Sequence, residues 1–144
     1  LEEKSLGCIH KGGHHPVEEV YDYAKQMEYG KGLVIMDTPG NDPSSVAGMA
    51  AGGCQLVLFS TGRGTPTGNP IAPVIKLTAN PITYGKMKDN IDVDGSILLE
   101  HPEKMDEVAD ALVAEIIDFA NGKATKSESL GFYELAIARV CNYV

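Results

Sequence analysis

The chain has 144 residues, a formal net charge of −8 and a sequence pI of about 4.9. A domain of this length buries roughly 70% of its unfolded surface, so it needs no disulfide staples. So acidic a chain shows no basic face for phosphate neutralisation, which argues against nucleic acid as a partner, and no leader-like segment or run of about 18 apolar residues points to a membrane.

Residues 1–15 are polar and glycine-rich, with Gly7, Gly12 and Gly13, and are expected to lack regular structure. Pro16 can open a helix in which Val17, Val20, Tyr21, Ala24 and Met27 share one face, with Gly30 and Gly32 ending it. The run Leu33-Val34-Ile35-Met36-Asp37 reads as a first strand, buried on both faces because it does not alternate. Asp42 as cap and Pro43 in the first turn start a short helix of small residues, Val46 to Ala51, closed by Gly52 and Gly53. Small residues let such a helix lie close against a sheet or against another chain. A second strand is expected at about 55–60 and a third at 73–78, joined by a loop of Gly, Thr and Pro from Ser60 to Pro70. Asn80-Pro81 restarts a helix to about Asn90, and Ser96-Ile97-Leu98-Leu99 suggests a fourth strand. The clearest helix is 102–121, with Met105, Val108, Ala109, Leu112, Ile116, Phe119 and Ala120 as its apolar stripe. The tail from Phe132 reads as a last helix or strand that docks elsewhere. The pattern predicts a single three-layer α/β domain with a mostly parallel, Rossmann- or flavodoxin-like sheet.

Two of these strands end in polar, glycine-rich loops. One is Asp37-Thr38-Pro39-Gly40 and the other Ser60-Thr61-Gly62-Arg63-Gly64-Thr65-Pro66. If the strands are adjacent and parallel, their loops share the carboxyl edge where open α/β sheets bind ligands. An acid, several hydroxyls, a guanidinium and glycine-exposed backbone suit a small polyoxygenated anion. Asp37-Thr38-Pro39-Gly40 imitates a GTPase element, but no GxxxxGK[ST] or NKxD accompanies it. The 62–68 segment imitates a dinucleotide fingerprint, but its third glycine is one residue late, and Pro66 and Pro70 prevent the helix that must follow. The better reading is a backbone nest with Arg63 as a carboxylate or phosphate clamp, pairing with a substrate carboxylate or holding Asp37 until substrate arrives. Lys76, inside a buried strand, must snorkel or find a partner. Lys11 reads as a buried base, an anion contact or a solvated lysine. Cys8, His10, His14 and His15 lie within eight residues and carry metal-binding atoms, but a stretch without regular structure fixes no geometry for them. The three cysteines, Cys8, Cys54 and Cys141, form no CxxC, which favours a reducing, cytoplasmic compartment, with Cys54 as a small buried hydrophobe.

From Leu6 onward the motifs fall in a specific joint order. Leu6-Gly7-Cys8-Ile9-His10-Lys11-Gly12-Gly13 fits LGxxxKxG, and Gly32 to Gly53 fits GLxxMDTPGxDxxSxxGxxAGG. Ser60 to Gly64 fits [ST]TGRG, Pro73 to Asn80 fits PxxKLxxN, and Ile91-Asp92-Val93-Asp94-Gly95 and Phe119-Ala120-Asn121-Gly122-Lys123 follow. Over nearly its whole length the chain resembles the C-terminal part of the altronate dehydratase and galactarate dehydratase (altronate hydrolase) family, to which the sulfolactate sulfo-lyase large subunit is related. The resemblance implies a hydro-lyase that removes the proton α to a carboxylate and expels the β-hydroxyl of a sugar acid, giving a 2-keto-3-deoxy acid. It implies Fe2+ or another divalent cation such as Mn2+, held mainly by an N-terminal part of the same enzyme that precedes this chain, and the possibility of a homo-oligomer. The metal ligands are left unassigned, His10, His14 and His15 included, because they lie outside the motif. On this reading Lys11, Asp37 and Arg63 are the catalytic candidates, and Thr38, Ser60, Thr61, Gly62, Gly64 and Lys76 bind substrate. The chain, which opens on Leu-Glu-Glu rather than Met, is expected to be a C-terminal fragment that is inactive alone. The alternative is a non-catalytic small-anion-binding or assembly domain whose small-residue helix packs on a partner.

Overall fold

A computed structural model describes residues 2–28 and 32–137. Helix α1, Glu2–Lys11, occupies the stretch expected to be irregular. It contains one glycine, places Glu2 and Glu3 in its first turn and His10 and Lys11 in its last, and so complements the helix dipole at both ends. Gly12 and Gly13 follow its end, with Gly13 at φ +76°. Strand β1, Val17–Tyr21, replaces the helix expected after Pro16. Five residues cannot settle a period, and Val17, Val20 and Tyr21 suit a strand as well as a helix face. Ala24, at φ +59°, then breaks any continuation.

Strand β2, Leu33–Met36, pairs in parallel with β1, with a register shift between Val17 and Glu19. Helix α2, Asp42–Ala51, is capped by Asn41 rather than Asp42. The Asn41 Oδ1 accepts from the Ser44 N–H at 3.3 Å and from its hydroxyl at 3.0 Å. Strands β3 (Val57–Ser60), β4 (Val74–Thr78) and β5 (Val93–Asp94) form a second parallel sheet in that order. Helix α3, Pro81–Met87, follows β4. The fourth strand expected at 96–99 is instead a 3-10 turn, Ser96–Leu99. Asp94 Oδ1 accepts the Ser96 N–H at 2.9 Å and Gly95 N–H donates to Thr78 O at 2.8 Å, so the chain turns as soon as β5 has paired.

Helix α4, Met105–Ala120, opens from a 3-10 turn at Pro102–Lys104. Of its expected stripe Phe119 is buried, Val108, Leu112 and Ile116 are half-buried, and Met105, Ala109 and Ala120 are exposed. Helix α5, Lys126–Leu130, lies between the 102–121 helix and the tail, where no element is expected from the sequence. Its capping box, Thr125 with Glu128, and its left-handed Gly131 stop are complete.

The α/β class and the parallel pairing hold, but the strands divide into two small sheets rather than one. Helix α2 touches both. Val46 packs with Val57, Ala72 and Val74 in the core on the side of β3 and β4. A Cβ on Gly48 would meet the Tyr23 ring at 2.4 Å, and one on Gly52 would meet the end of Met36 at 2.4 Å, on the side of β1 and β2. The small residues are therefore used inside the chain. Among the described residues no helix is long and apolar enough to cross a membrane.

Candidate functional site

The carboxyl edge of β3 and β4 carries the site. Beyond Ser60, Thr61 N–H donates to Leu77 O at 3.0 Å and carries the ladder one step further. The chain then turns sharply. Thr61 Oγ1 accepts the Gly64 N–H at 3.0 Å, and Gly64 adopts φ +86°, where a Cβ would also strike Met87 Sδ at 2.2 Å. The Gly62 carbonyl accepts from Thr83 Oγ1 at 2.7 Å and from Asn80 Nδ2 at 3.2 Å. Asn80 is itself placed by Thr78 Oγ1, which accepts the Asn80 N–H at 3.1 Å. Asn80 Oδ1 accepts the Ile82 and Thr83 N–H groups of α3.

These elements surround a cavity of about 700 Å³, lined by Lys11, Ser60, Thr61, Gly62, Thr78 and Asn80 together with Leu77, Ala79, Pro81, Ile82 and Leu99. Four residues singled out by sequence thus converge, and Lys11 reaches the site from the last turn of α1. Lys11 is exposed, so it is no buried base. Asn80 and Thr83 were missed as site residues. The Asn-Pro pair marked a helix start, but its reach back to Gly62 spans 18 residues and has no local signal.

Other candidates stand elsewhere. Asp37 and Thr38 follow β2 in the other sheet, so their loop and the 60–64 loop do not leave adjacent strands as expected. Asp37 is exposed, its N–H donating to Tyr21 O at 2.9 Å, and Thr38 Oγ1 accepts the Ser45 hydroxyl at 3.0 Å. Arg63 is exposed, and among the described residues it makes no ion pair, so it does not hold Asp37. Gly64 closes the turn behind Gly62.

Lys76 lies fully buried beneath the return of the loop. Its ammonium donates to Thr67 O at 3.3 Å and Val74 O at 3.4 Å and faces Asp92 Oδ2 at 3.8 Å. Burial pushes it below the usual lysine range, against the opposing pull of Asp92. Asp92 accepts the backbone N–H groups of Lys76 and Lys126, each at 2.8 Å, and so ties β4 to the start of α5. Thr65 and Thr67 share a hydrogen bond at 2.8 Å, and Asn69 Oδ1 accepts the Ile71 and Ala72 N–H groups, which sets the buried part of the loop. Burial pushes the half-buried Cys54 thiol up, which suits the packing role read from sequence. Among the described residues no group of three His, Cys, Asp or Glu could hold a metal ion, and His10, His14 and His15 are exposed.

Residues 1–142 match the family model of the D-galactarate/altronate dehydratase C-terminal region. The chain is 41% identical over 137 residues to altronate dehydratase of Escherichia coli (strain K12), covering 95% of this chain and 27% of that protein. It is 40% identical over 141 residues to (2R)-sulfolactate sulfo-lyase subunit beta of Chromohalobacter salexigens, covering 97% and 36%. Galactarate dehydratase (L-threo-forming) of Escherichia coli (strain K12) is 33% identical over 137 residues, covering 94% and 26%. The chain thus spans about a quarter to a third of the length of these relatives.

Proposed function

The chain belongs to the family of D-galactarate/altronate dehydratase C-terminal domains, and from that premise we propose that it is the C-terminal domain of a sugar-acid hydro-lyase whose substrate rests against the carboxyl edge of β3 and β4. One observation carries the reading: Lys11, Ser60, Thr61 and Gly62 meet at one cavity on the carboxyl edge of a parallel sheet. The Lys11 ammonium supplies the charge for a carboxylate. The Ser60 and Thr61 hydroxyls match the hydroxyls of a polyol chain, and Gly62 lets the ligand approach the backbone. Arg63, exposed and next in sequence to the cavity-lining Gly62, offers a planar fork for the same carboxylate.

The reaction removes the proton α to that carboxylate and expels the β-hydroxyl as water, giving a 2-keto-3-deoxy acid. The described cavity lining holds no carboxylate, so a group from outside it moves the proton. This reading leaves that group to the rest of the enzyme, because Asp37 follows β2 in the other sheet. A divalent cation, Fe2+ or Mn2+, would stabilise the developing enediolate. The described residues do not form its site, and this reading places its ligands in the rest of the enzyme, the N-terminal part that covers this face. Lys76 supports the loop from beneath instead of touching substrate.

The small-residue helix no longer favours the assembly alternative, because α2 spends its small face on Tyr23 and the core. The test is an assay of the full-length protein on aldonic, aldaric and sulfonated hydroxy acids with Fe2+ or Mn2+. Keto-deoxy acid from an aldonic or aldaric acid is expected. Release of sulfite alone would move the protein to sulfo-lyase chemistry, and no turnover of any substrate would end the reading.

A further inference from the structure

We propose that Thr83 is a positioning residue that fixes the 62–64 turn at the cavity mouth and thereby aims Arg63. The inference rests on the reading of that edge as a sugar-acid site for its functional half only. The Thr83 hydroxyl donates to the Gly62 carbonyl at 2.7 Å, across 21 residues of sequence. Asn80 Nδ2 adds a second donor to the same oxygen at 3.2 Å. Next to it, Gly64 is pressed so closely on α3 that a Cβ would lie 3.2 Å from Thr83 Cγ2 and 2.2 Å from Met87 Sδ. Thr83 is 8% exposed, whereas Gly62 and Arg63 are exposed. A buried hydroxyl therefore holds the carbonyl of a solvent-facing turn.

Helix α3 itself has no use for that hydroxyl. Its first-turn N–H groups at Ile82 and Thr83 are satisfied by Asn80 Oδ1. A valine would fill the same volume, so the oxygen is accounted for by Gly62. With the carbonyl pinned on one side and Thr61 Oγ1 holding the Gly64 N–H on the other, Arg63 projects from a turn fixed at both flanks. Such pre-organisation matters most for a bidentate carboxylate contact, which tolerates little angular error.

The experiment uses the full-length protein as parent, Thr83→Val and Thr83→Ser. Its first readout is the rate of tryptic cleavage after Arg63, which tracks how often the turn opens. Its second is kcat/KM on whichever sugar acid the parent turns over. Thr83→Val should melt with the parent yet be cut about 3- to 10-fold faster, the weight of one hydrogen bond, and lose kcat/KM by a similar factor. Thr83→Ser should restore both. Cleavage of Thr83→Val at the parental rate would overturn the proposal, and faster cleavage with unchanged kcat/KM would overturn its functional half. If the parent turns over no sugar acid, the proposed function fails while cleavage still decides the positioning. If Thr83→Val does not accumulate, Thr83→Ala is read by the same criteria.

Discussion

Lys76 is a fully buried cation in the middle of β4, and its neighbours decide what it is for. The ammonium meets Asp92 and two carbonyls, so removing either charge strands the other in a low dielectric. Lys76→Met and Asp92→Asn should each cost about 3–5 kcal/mol in denaturant unfolding, and the double variant less than the sum of the two. The pH dependence has a definite sign. With its folded pKa lowered below the ordinary 10.5, Lys76 binds fewer protons folded than unfolded between those two values, so stability rises with pH across that window. Lys76→Met should flatten that rise, and a stability curve as steep as the parent's would exclude Lys76 as its source. Sequence established that this lysine needs a partner but could not name Asp92, 16 residues away on the adjoining strand connection. Arg63 is the converse case, exposed and unpaired among the described residues. Arg63→Lys should leave the melting temperature unchanged while full-length kcat/KM falls about tenfold or more, since an ammonium cannot reproduce two parallel hydrogen bonds.

At the scale of elements, glycines separate packing from propensity. Gly48 in α2 faces the Tyr23 ring, so Gly48→Ala should destabilise by about 1–3 kcal/mol despite the better helix former. Gly85 in α3 has nothing within 4 Å of a would-be Cβ, and Gly85→Ala should stabilise by about 0.5–1 kcal/mol. Thermal melts of the two variants check the contrast, and equal shifts in one direction would refute it. The same distinction explains what could be read in advance. Strands β2, β3 and β4 were legible as non-alternating apolar runs, and α4 from its long stripe. Helix α5 was legible too, since Thr125-Lys126-Ser127-Glu128 spells a capping box, but five residues carry no periodicity to draw attention to it. The stretches 2–11 and 17–21 misled because they are short: glycine at one end was read as disorder throughout, and a chance helical spacing outweighed β-branched residues.

At the scale of the whole molecule, the division into two sheets was not legible, because strands joined by one short helix usually share a sheet, whereas here, among the described residues, β2 pairs only with β1 and β3 with β4. The consequence reaches the chemistry. The chain exposes 10197 Å², against about 7100 Å² for a compact monomer of its mass. Ile35, Val20, Ile82, Leu99, Val113 and Ile117 are among its exposed apolar residues. A parallel pair such as β1 and β2 ordinarily has both faces covered, and Val20 and Ile35 leave one face of this one bare. These surfaces fit a domain that is completed by the remainder of a protein three to four times as long, as the 26–36% coverage of its relatives suggests. The cavity follows the same logic: it supplies a cation and hydroxyls but neither a carboxylate nor, among the described residues, a metal-binding group. The purified 1–144 chain should therefore bind a hydrophobic dye such as ANS and turn over no altronate or galactarate with Fe2+ or Mn2+ under reducing conditions, whereas the full-length protein should be active and bind less dye per mole. Robust turnover by the isolated chain would refute this division of labour. It would direct attention to His10, His14 and His15, close to Lys11 in the sequence.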